Sequence, residues 1–496
     1  MKTPIGILGV KYLLRNEKHY SGYPIHTDTQ LNNFFLMGVM QMDKKNKEEL
    51  VVPELLLTVA EALKPSSDLM QIPLQIEKKN AILLYIKTVV DGAQIQNNII
   101  KPFFELASID HFEAYINSLP NKIEMPSPEQ LAIDLTMGKL LIAIQDRMVL
   151  LDFRLVHTDS VHEAIMEPTI HGPQFALSED LETNINMIRQ RFNNKSLKVE
   201  MLTLNDRTHR SISILYDETT VKNSALKIVK QKLDELDTSI IQSAGDLQLH
   251  LNDSKLTLFP STILTERPDR IVYNIDSGKV ILLVDGSAHA VLAPVIFFDF
   301  MVSMEDNYHS FWISRLAIVL RYLGLLTCVL LPGVYVAVTS YNPEVLRIEL
   351  ALSVAGSRIG VPYPSFLEVL LMLVFIEFLT EASIRLPKAV SATATTVGGL
   401  ILGTALSEAA LASNVMIIVV ALVAIATFII PVNEMSFAVR IGRFALLVFT
   451  SIFGLTGLIL GFLGSIMYLT NKESFGETYL RIYWKSQKQE LKGNTK

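Results

Sequence analysis

Residues 316–340 read LAIVLRYLGLLTCVLLPGVYVAVTS, a run with a single charged side chain, Arg321. A helix of about 20 apolar residues is long enough to cross the roughly 30 Å hydrocarbon core of a bilayer. The same character continues to Thr470. Between Leu316 and Thr470, 14 of 155 residues are charged, about 9%, against 80 of the other 341, about 23%. This split predicts an ordinary soluble part followed by a membrane part.

The composition of the 496 residues excludes several classes of protein. The formal net charge is −6, so the basic footprint of a nucleic-acid-binding protein is not indicated. A single cysteine, Cys328, excludes a disulfide framework and a thiolate metal cage. The sequence has no phosphate-binding loop, dinucleotide fingerprint or nucleophile elbow. We therefore expect a protein that is not an enzyme and has no cofactor.

Three histidines, His157, His162 and His171, lie near one another in the sequence but do not suggest a metal site. Their spacings of five and nine residues do not place two ligands on adjacent turns of a helix. We expect loop and surface histidines here, and no metal.

The N-terminal part alternates predicted strands and helices, which is typical of α/β layers. Ser178 is the predicted N-cap of one helix, because acidic residues follow it and arginines end that helix. We expect no signal peptide, so this part should stay in the cytoplasm. The predicted elements are helices near Glu49–Leu63, Gln94–Leu106, Ser178–Arg191, Val221–Leu236 and Thr265–Asp276, a hairpin at Lys139–Leu155, and strands at Ala81–Val90, Leu197–Leu204, Ser211–Tyr216, Val280–Asp285 and His289–Pro294.

The fold class that we expect is α/β cytoplasmic domains followed by an α-helical transmembrane bundle. The predicted boundaries are 1–157 for an N-terminal α/β subdomain, 158–310 for a second one, 311–470 for the membrane domain and 471–496 for a basic tail. Five apolar segments in the membrane domain are each near the length of one crossing: Leu316–Ser340, Tyr363–Ile384, Ala392–Leu411, Asn414–Ile430 and Phe444–Leu469.

Basic residues between these segments set the expected orientation. With the N-terminal part inside, Arg385 and Lys388, and later Arg440 and Arg443, face the cytoplasm. The basic tail also belongs inside, which requires an even number of crossings. Either the third segment is re-entrant or the last stretch, residues 436–469, crosses twice.

Carboxylates inside the second apolar segment are the candidate functional residues. A charge at mid-bilayer costs at least about 2.5 kcal/mol, so it tends to face other helices or water. Glu377 and Glu381 share a helical face, and Glu381 can pair with Arg385 four residues later. Glu368 lies on the opposite side of the helix. An ion path or gate and polar contacts between helices both remain open for Glu368 and Glu377, with Glu377 favoured for the path.

The chain is interrupted just before this helix. Pro362 and Pro364 prevent a regular helix at the end of residues 348–364. Irregular backbone at membrane depth needs protein or water around it. We therefore expect a re-entrant hairpin or an interfacial helix here, with Arg358 near its tip.

Several short motifs occur in one order along residues 80–480: Glu167-Pro168, Gly172-Pro173, the helix from Glu179-Asp180-Leu181 to Arg189-Gln190-Arg191, Phe259-Pro260, Thr265-Glu266-Arg267-Pro268-Asp269, Val284-Asp285-Gly286, Val361-Pro362-Tyr363-Pro364 with Glu368, and Glu381 to Arg385-Leu386-Pro387. Together they resemble the A subunits of bacterial spore germinant receptors, the GerA family. The first 75 residues contribute nothing to this resemblance. His171 stands where this family commonly has Arg, and Thr404 where Gln is common.

The resemblance implies a subunit of a spore germinant receptor that responds to nutrients and triggers germination by forming an oligomeric, nutrient-gated cation channel. It implies a multi-pass protein of the inner spore membrane with a cytoplasmic N-terminal domain. The implied partners are a transporter-like B subunit, a lipoprotein C subunit, further copies of the chain and membrane lipids, but no nucleic acid. Two alternatives remain open: a secondary transporter, although the broken, Glu-rich segment has no second copy, and a non-conducting membrane scaffold for a receptor complex.

Overall fold

The structure, a computed structural model, describes residues 54–76, 79–145, 147–155, 163–204, 207, 209–236, 240–252 and 257–481. Three predictions fall outside this part of the chain: the beginning of the helix near Glu49–Leu63, the histidines His157 and His162, and the tail from residue 482 onward. Within the described part, two five-stranded sheets are followed by a helical region.

The first sheet lies within residues 54–152 and has antiparallel strands in the order β1-β2-β4-β5-β3. The predicted hairpin at Lys139–Leu155 is present as β4 and β5. Helices pack on both faces, so the central strands are buried on both sides. The elements of this unit are α1 (Glu54–Leu63), β1 (Leu69–Ile76), β2 (Lys79–Ile86), α2 (Gly92–Ile95), a π turn (Gln96–Ile100), α3 (Lys101–Glu105), α4 (Ile109–Ser118), β3 (Lys122–Ile123), α5 (Pro128–Thr136), β4 (Lys139–Ile144) and β5 (Arg147–Asp152).

Two prolines account for differences between this unit and the sequence prediction. Strand β1 was not predicted, and it contains Pro73. The sheet tolerates this proline because β1 is an edge strand. The helix predicted at Gln94–Leu106 is instead divided by the π turn that precedes Pro102, whose ring nitrogen carries no hydrogen to donate.

The second sheet has antiparallel strands in the order β6-β7-β9-β10-β8. Helices α6 and α9 pack on one face, and α7 and α8 on the other. The strands predicted at Val280–Asp285 and His289–Pro294 are present as β9 and β10, which pair as an antiparallel hairpin. The elements of this unit are α6 (Leu181–Arg191), β6 (Leu197–Thr203), β7 (Ser211–Asp217), α7 (Asn223–Asp234), α8 (Ala244–Leu251), β8 (Ile263–Thr265), α9 (Pro268–Asp276), β9 (Val280–Val284) and β10 (Ala290–Ala293).

Helix α6 begins later than predicted and joins the two α/β units. Asp180, and not Ser178, is its N-cap, because the Asp180 carboxylate accepts a hydrogen bond from the Thr183 N–H at 2.7 Å. At the other end, the buried Arg189 guanidinium donates two hydrogen bonds to the Asp68 carboxylate, at 3.0 and 2.9 Å. A buried, bidentate ion pair therefore connects α6 to the first unit.

The helical region starts at Phe311. Two of the described helices, α10 and α15, are long and apolar enough to cross a membrane, while α14 is apolar but shorter. The side chains of α10, α14 and α15 share one core with the second sheet. The helices are α10 (Phe311–Ser340), α11 (Ile348–Arg358), α12 (Ser365–Arg385), α13 (Lys388–Glu408), α14 (Asn414–Phe428) and α15 (Asn433–Asn471), followed by the short strands β11 (Glu473–Ser474) and β12 (Glu477–Thr478).

Helix α15 reverses direction at Gly454, where φ is 59° and ψ is −139°. A methyl group on Gly461 would lie 3.2 Å from Leu446, although 15 residues of straight helix span about 22 Å. The two arms of α15 are therefore antiparallel. The third apolar segment is one continuous helix, α13. Residues 436–469 therefore double back on themselves. Of the two alternatives that the sequence left open, a re-entrant third segment or a divided last stretch, this corresponds to the divided last stretch.

The residues after α15 pack against the second unit. Lys472 Nζ donates to the Phe259 carbonyl at 2.5 Å, and Tyr479 Oη donates to the Pro260 carbonyl at 2.7 Å. Tyr479 is fully buried beside Phe297. Residues 473–478, which the sequence analysis assigned to the basic tail, form a hairpin. The end of α15 is therefore attached to the same unit from which α10 starts.

Candidate functional site

Glu377 of α12 lies between two arginines of α15. Its Oε2 accepts a hydrogen bond from Arg440 Nη1, and its Oε1 accepts one from Arg443 Nη2, both at 2.6 Å. The Arg443 side chain is 1% exposed, and that of Glu377 is 27% exposed. We call these three residues the Glu377 cluster. One carboxylate is paired with two guanidinium groups, so the cluster carries a net positive charge.

The pairing differs from the sequence analysis, which treated Arg440 and Arg443 as basic residues between apolar segments. Both lie inside α15, which begins at Asn433 and not near Phe444, and both are buried. The buried Nε atoms of both arginines have no hydrogen-bond partner among the described residues. These side chains are therefore interior ion-pair partners of Glu377.

A half-open cleft of about 200 Å³ adjoins the Glu377 cluster. At its edge, Arg385 Nη2 donates to Glu381 Oε1 at 2.6 Å, so the predicted i,i+4 pair forms. Both side chains are exposed, at 78% and 56%, beside the exposed apolar Phe378. The cleft is a charged site on an otherwise apolar surface. Its lining residues are Glu377, Glu381, Phe437, Arg440, Ile441 and Phe444.

Glu368 is fully buried at the other end of α12. Its Oε1 accepts from the Ser413 N–H at 2.7 Å, and its Oε2 accepts from Arg358 Nε at 3.2 Å. Tyr335 Oη lies 3.1 Å from Ser413 Oγ and completes this polar group. Glu368 therefore joins the end of α11, the start of α12 and the residue that caps α14. Glu368 and Glu377 lie in separate polar groups, so the structure does not bring these two carboxylates together.

The interrupted segment before α12 is a short helix and a linker. Arg358 lies in the last turn of α11 and also donates to the Tyr363 carbonyl at 3.2 Å. Pro362 lies exposed in the linker, and Pro364 is the N-cap residue of α12. None of the eleven residues of α11 is buried. The sequence analysis left a re-entrant hairpin and an interfacial helix open for this segment. The exposed single helix α11 corresponds to the interfacial helix.

The motifs of the second unit, although separated in sequence, meet in the structure. The fully buried Arg267 forms a bidentate ion pair with Asp269, at 3.0 and 2.6 Å, and donates to the Glu167 carbonyl at 2.8 Å. Arg270 Nη1 donates to Glu167 Oε2 at 2.7 Å. Residues 163–175, which we call the docked segment, are thus held on the motif 265–269. No local pattern indicates this contact, which joins residues 100 positions apart.

The docked segment also contacts the residues just before α10. A methyl group on Gly172 would lie 2.6 Å from the Tyr308 ring, so any larger residue there would displace the ring. Tyr308 Oη donates to Asp269 Oδ2 at 2.6 Å, and burial together with this bond raises the pKa of Tyr308. Burial would raise the pKa of Glu305, but hydrogen bonds from His171 and the Ile170 N–H outweigh it and lower that pKa. The docked segment therefore connects the second unit to the start of the helical region.

Comparison with known proteins identifies the class to which this fold and these motifs belong. The model of the family described as Bacillus/Clostridium GerA spore germination protein matches residues 58–495. The chain therefore belongs to the GerA family of spore germination proteins, which confirms the resemblance seen in the sequence.

Individual relatives are similar over most of their length. Spore germination protein KA of Bacillus subtilis (strain 168) is 31% identical over 451 residues, which is 88% of this chain and 83% of that protein. The uncharacterized membrane protein YfkQ of the same organism is 28% identical over 409 residues, 80% of this chain and 79% of that protein. The crystal structure of the N-terminal domain of the A subunit of the Bacillus megaterium spore germinant receptor GerK3 matches 49% of this chain and 94% of that one, at 21% identity and a TM-score of 0.38.

Proposed function

We propose that this chain is a non-enzymatic, membrane-embedded subunit of a spore germinant receptor, and that copies of it form a nutrient-gated cation channel. Membership in a family of spore germination proteins supports the role in germination. The observation that carries the proposal of conduction is the half-open cleft at which the exposed carboxylate of Glu381 lies, next to the ion-paired Glu377. The site of action is then the inner spore membrane, with the two α/β units on the cytoplasmic side.

Two features of the helices support a position in the membrane. In the most apolar 18-residue stretch of each long helix, 22% of the residues of α10 and 33% of those of α15 are buried. A core helix of a soluble protein is mostly buried. The two ends of the region are separated: Tyr341, at the end of α10, contacts Gly454, and the second arm of α15 runs from Gly454 to Lys472, which contacts Phe259 of the second unit. With α15 counted as two arms, α10, α12, α13, α14 and α15 make six passes. An even number leaves both ends of the region on one side, as the basic residues require.

The cleft supports an oligomer. Ionised side chains that face lipid are disfavoured, and Glu381 and Arg385 are exposed on the surface of a single chain. Neighbouring copies that cover this surface would enclose a water-filled path. Rings of carboxylates favour cations over anions. We include B-type and C-type receptor subunits and membrane lipids as partners, but no nucleic acid, because the motif resemblance is to A subunits of such complexes.

The test is reconstitution of the full chain with its partner subunits into planar bilayers. Step-like single-channel currents support the proposal, whereas saturable coupled flux would indicate a carrier. The absence of both signals would indicate a non-conducting scaffold. We expect Glu381→Gln to lower the cation-to-anion permeability ratio, because the side chain lies at the cleft. Glu408→Gln is the matched control, since Glu408 is exposed at the end of the neighbouring α13. Equal ratios for the wild type and Glu381→Gln would rule out the cleft as part of the path.

The proposed orientation has its own test. Met201 lies exposed on β6, so Met201→Cys introduces an accessible thiol in the second unit. In sealed spore-membrane vesicles of known orientation, we expect an impermeant thiol reagent to label it only from the cytoplasmic side. Cys328 is fully buried and should stay unlabelled from both sides. Labelling of residue 201 from the outer side would contradict the orientation.

A further inference from the structure

A cluster of three metal-ligating groups lies where the docked segment meets the turn before α10. His171 belongs to the docked segment, whereas Glu305 and His309 lie four residues apart just before Phe311. Their nearest nitrogen and oxygen atoms all lie within 4.8 Å of one another. The histidine spacings considered in the sequence omitted Glu305 and His309, which lie four residues apart.

The geometry of the cluster is close to that of a metal site. His171 Nδ1 lies 3.1 Å from Glu305 Oε1, and His309 Nε2 lies 3.4 Å from the same oxygen. Ligands about 2.1 Å from a tetrahedral zinc ion lie about 3.4 Å apart, so only small side-chain movements are required. The centroids of the two imidazole rings are 5.3 Å apart, and the ring planes are inclined at 69°.

The carboxylate is held in place before any ion binds. Glu305 Oε2 accepts a hydrogen bond from the Ile170 N–H at 2.9 Å, and its Oε1 accepts one from the backbone N–H of His171 at 3.4 Å. Its side chain is mostly buried, while the His171 side chain remains exposed and can reorient. A fixed carboxylate with two neighbouring imidazoles provides the mixture of nitrogen and oxygen ligands that zinc prefers, and not the all-oxygen set that calcium and magnesium require.

We propose that His171, Glu305 and His309 bind a divalent transition-metal ion of the zinc type. The three protein ligands leave a fourth position for water. The bound ion fastens the docked segment to the residues from which α10 starts, and so connects the Glu167–Pro173 region to the first long helix. The site is independent of the proposed conduction, because none of its ligands belongs to the Glu377 cluster or its cleft.

The test measures zinc binding by the full chain, purified in detergent with an affinity tag that contains no histidine and then stripped with a chelator. Zinc is added in competition with a chromophoric chelator, and the retained metal is counted by mass spectrometry. We expect about one tightly bound zinc ion per chain. Cobalt should give the visible absorption of a four-coordinate site with nitrogen and oxygen ligands, whereas calcium and magnesium should not compete.

Three variants assign the site. His309→Ala removes a ligand, so its zinc affinity should fall by more than the roughly 10–100-fold that loss of an outer-shell partner costs. His171→Arg keeps a cation opposite Glu305 but has no lone pair to offer, so it should fold normally and lose the ion. His250→Ala is the control, because His250 is exposed on α8 and bonds within its own helix. The proposal is overturned if the wild type retains no zinc, or if His171→Arg and His309→Ala bind it as tightly as His250→Ala.

Discussion

Replacing Glu377 by glutamine should destabilise the helical region far more than replacing Glu381 by glutamine. Glu377 is the counter-ion of both Arg440 and Arg443, and neither guanidinium is exposed enough to be rehydrated in place. Glutamine keeps the shape of the side chain and one carbonyl acceptor, but it leaves two buried positive charges without compensation. Glu381→Gln is the matched control, because the ion pair that Glu381 makes among the described residues is with the exposed Arg385.

The expected magnitudes follow from burial. Removing one partner of a buried ion pair costs about 3–5 kcal/mol. Glu377 is 27% exposed, and glutamine retains one acceptor, so we expect the lower end of that range, about 3 kcal/mol. An exposed pair such as Glu381–Arg385 contributes about 0.2–1 kcal/mol. The two substitutions should therefore differ by roughly 2 kcal/mol in the free energy of unfolding.

The assay is equilibrium unfolding of the purified chain in mixed micelles of increasing SDS content, followed by circular dichroism. Arg443→Met in the Glu377→Gln background removes one of the stranded cations and should restore part of the lost free energy. In the wild-type background the same Arg443→Met substitution should destabilise the protein, whereas energetic independence of Arg443 and the carboxylate would give the same change in both backgrounds. The reasoning fails if the two glutamine variants unfold within about 0.5 kcal/mol of each other.

Three further substitutions test other contacts by unfolding measurements. Asp180→Ala should cost about 1 kcal/mol through loss of the N-cap of α6, and a larger loss for Ser178→Ala would restore the cap predicted from sequence. Gly454→Ala should cost about 1–3 kcal/mol, because φ is positive there and the added methyl group would lie 2.8 Å from Tyr341. Gly442→Ala is the control and should be neutral or stabilising, because its methyl group would meet nothing within 4 Å. Equal effects of the two substitutions would contradict the reversal of α15. Tyr479→Phe should cost about 1 kcal/mol by removing the hydrogen bond to Pro260, and an unchanged unfolding free energy would show that this bond does not hold the C-terminal segment.

Features that depend on neighbours in sequence could be predicted, and features that depend on distant residues could not. The i,i+4 pair of Glu381 and Arg385 was expected and forms. The two arginines that hold Glu377 are 63 and 66 residues away, so no spacing rule identifies them. The helix break before α12 followed from its prolines, but the bond from Arg358 to Glu368 required the chain to fold back.

The same distinction explains the differences in the α/β units. Ser178 and Asp180 are both good capping residues, and only the direction of the chain before α6 decides between them. Ser178 is kept outside the helix because the Asn184 side chain bonds its backbone N–H at 2.7 Å and its carbonyl at 2.6 Å. Strand β1 was not predicted because an internal proline argues against a strand until its position at the sheet edge is known.

The attachment of Tyr479 and Lys472 to the second unit has a mechanical consequence. Helix α10 starts from this unit and the second arm of α15 returns to it, so a rotation of the unit moves both ends of the helical region together. The first arm of α15, which carries Arg440 and Arg443, also packs in the core shared with the second sheet. A displacement of that core is therefore passed to Glu377 through its two ion pairs.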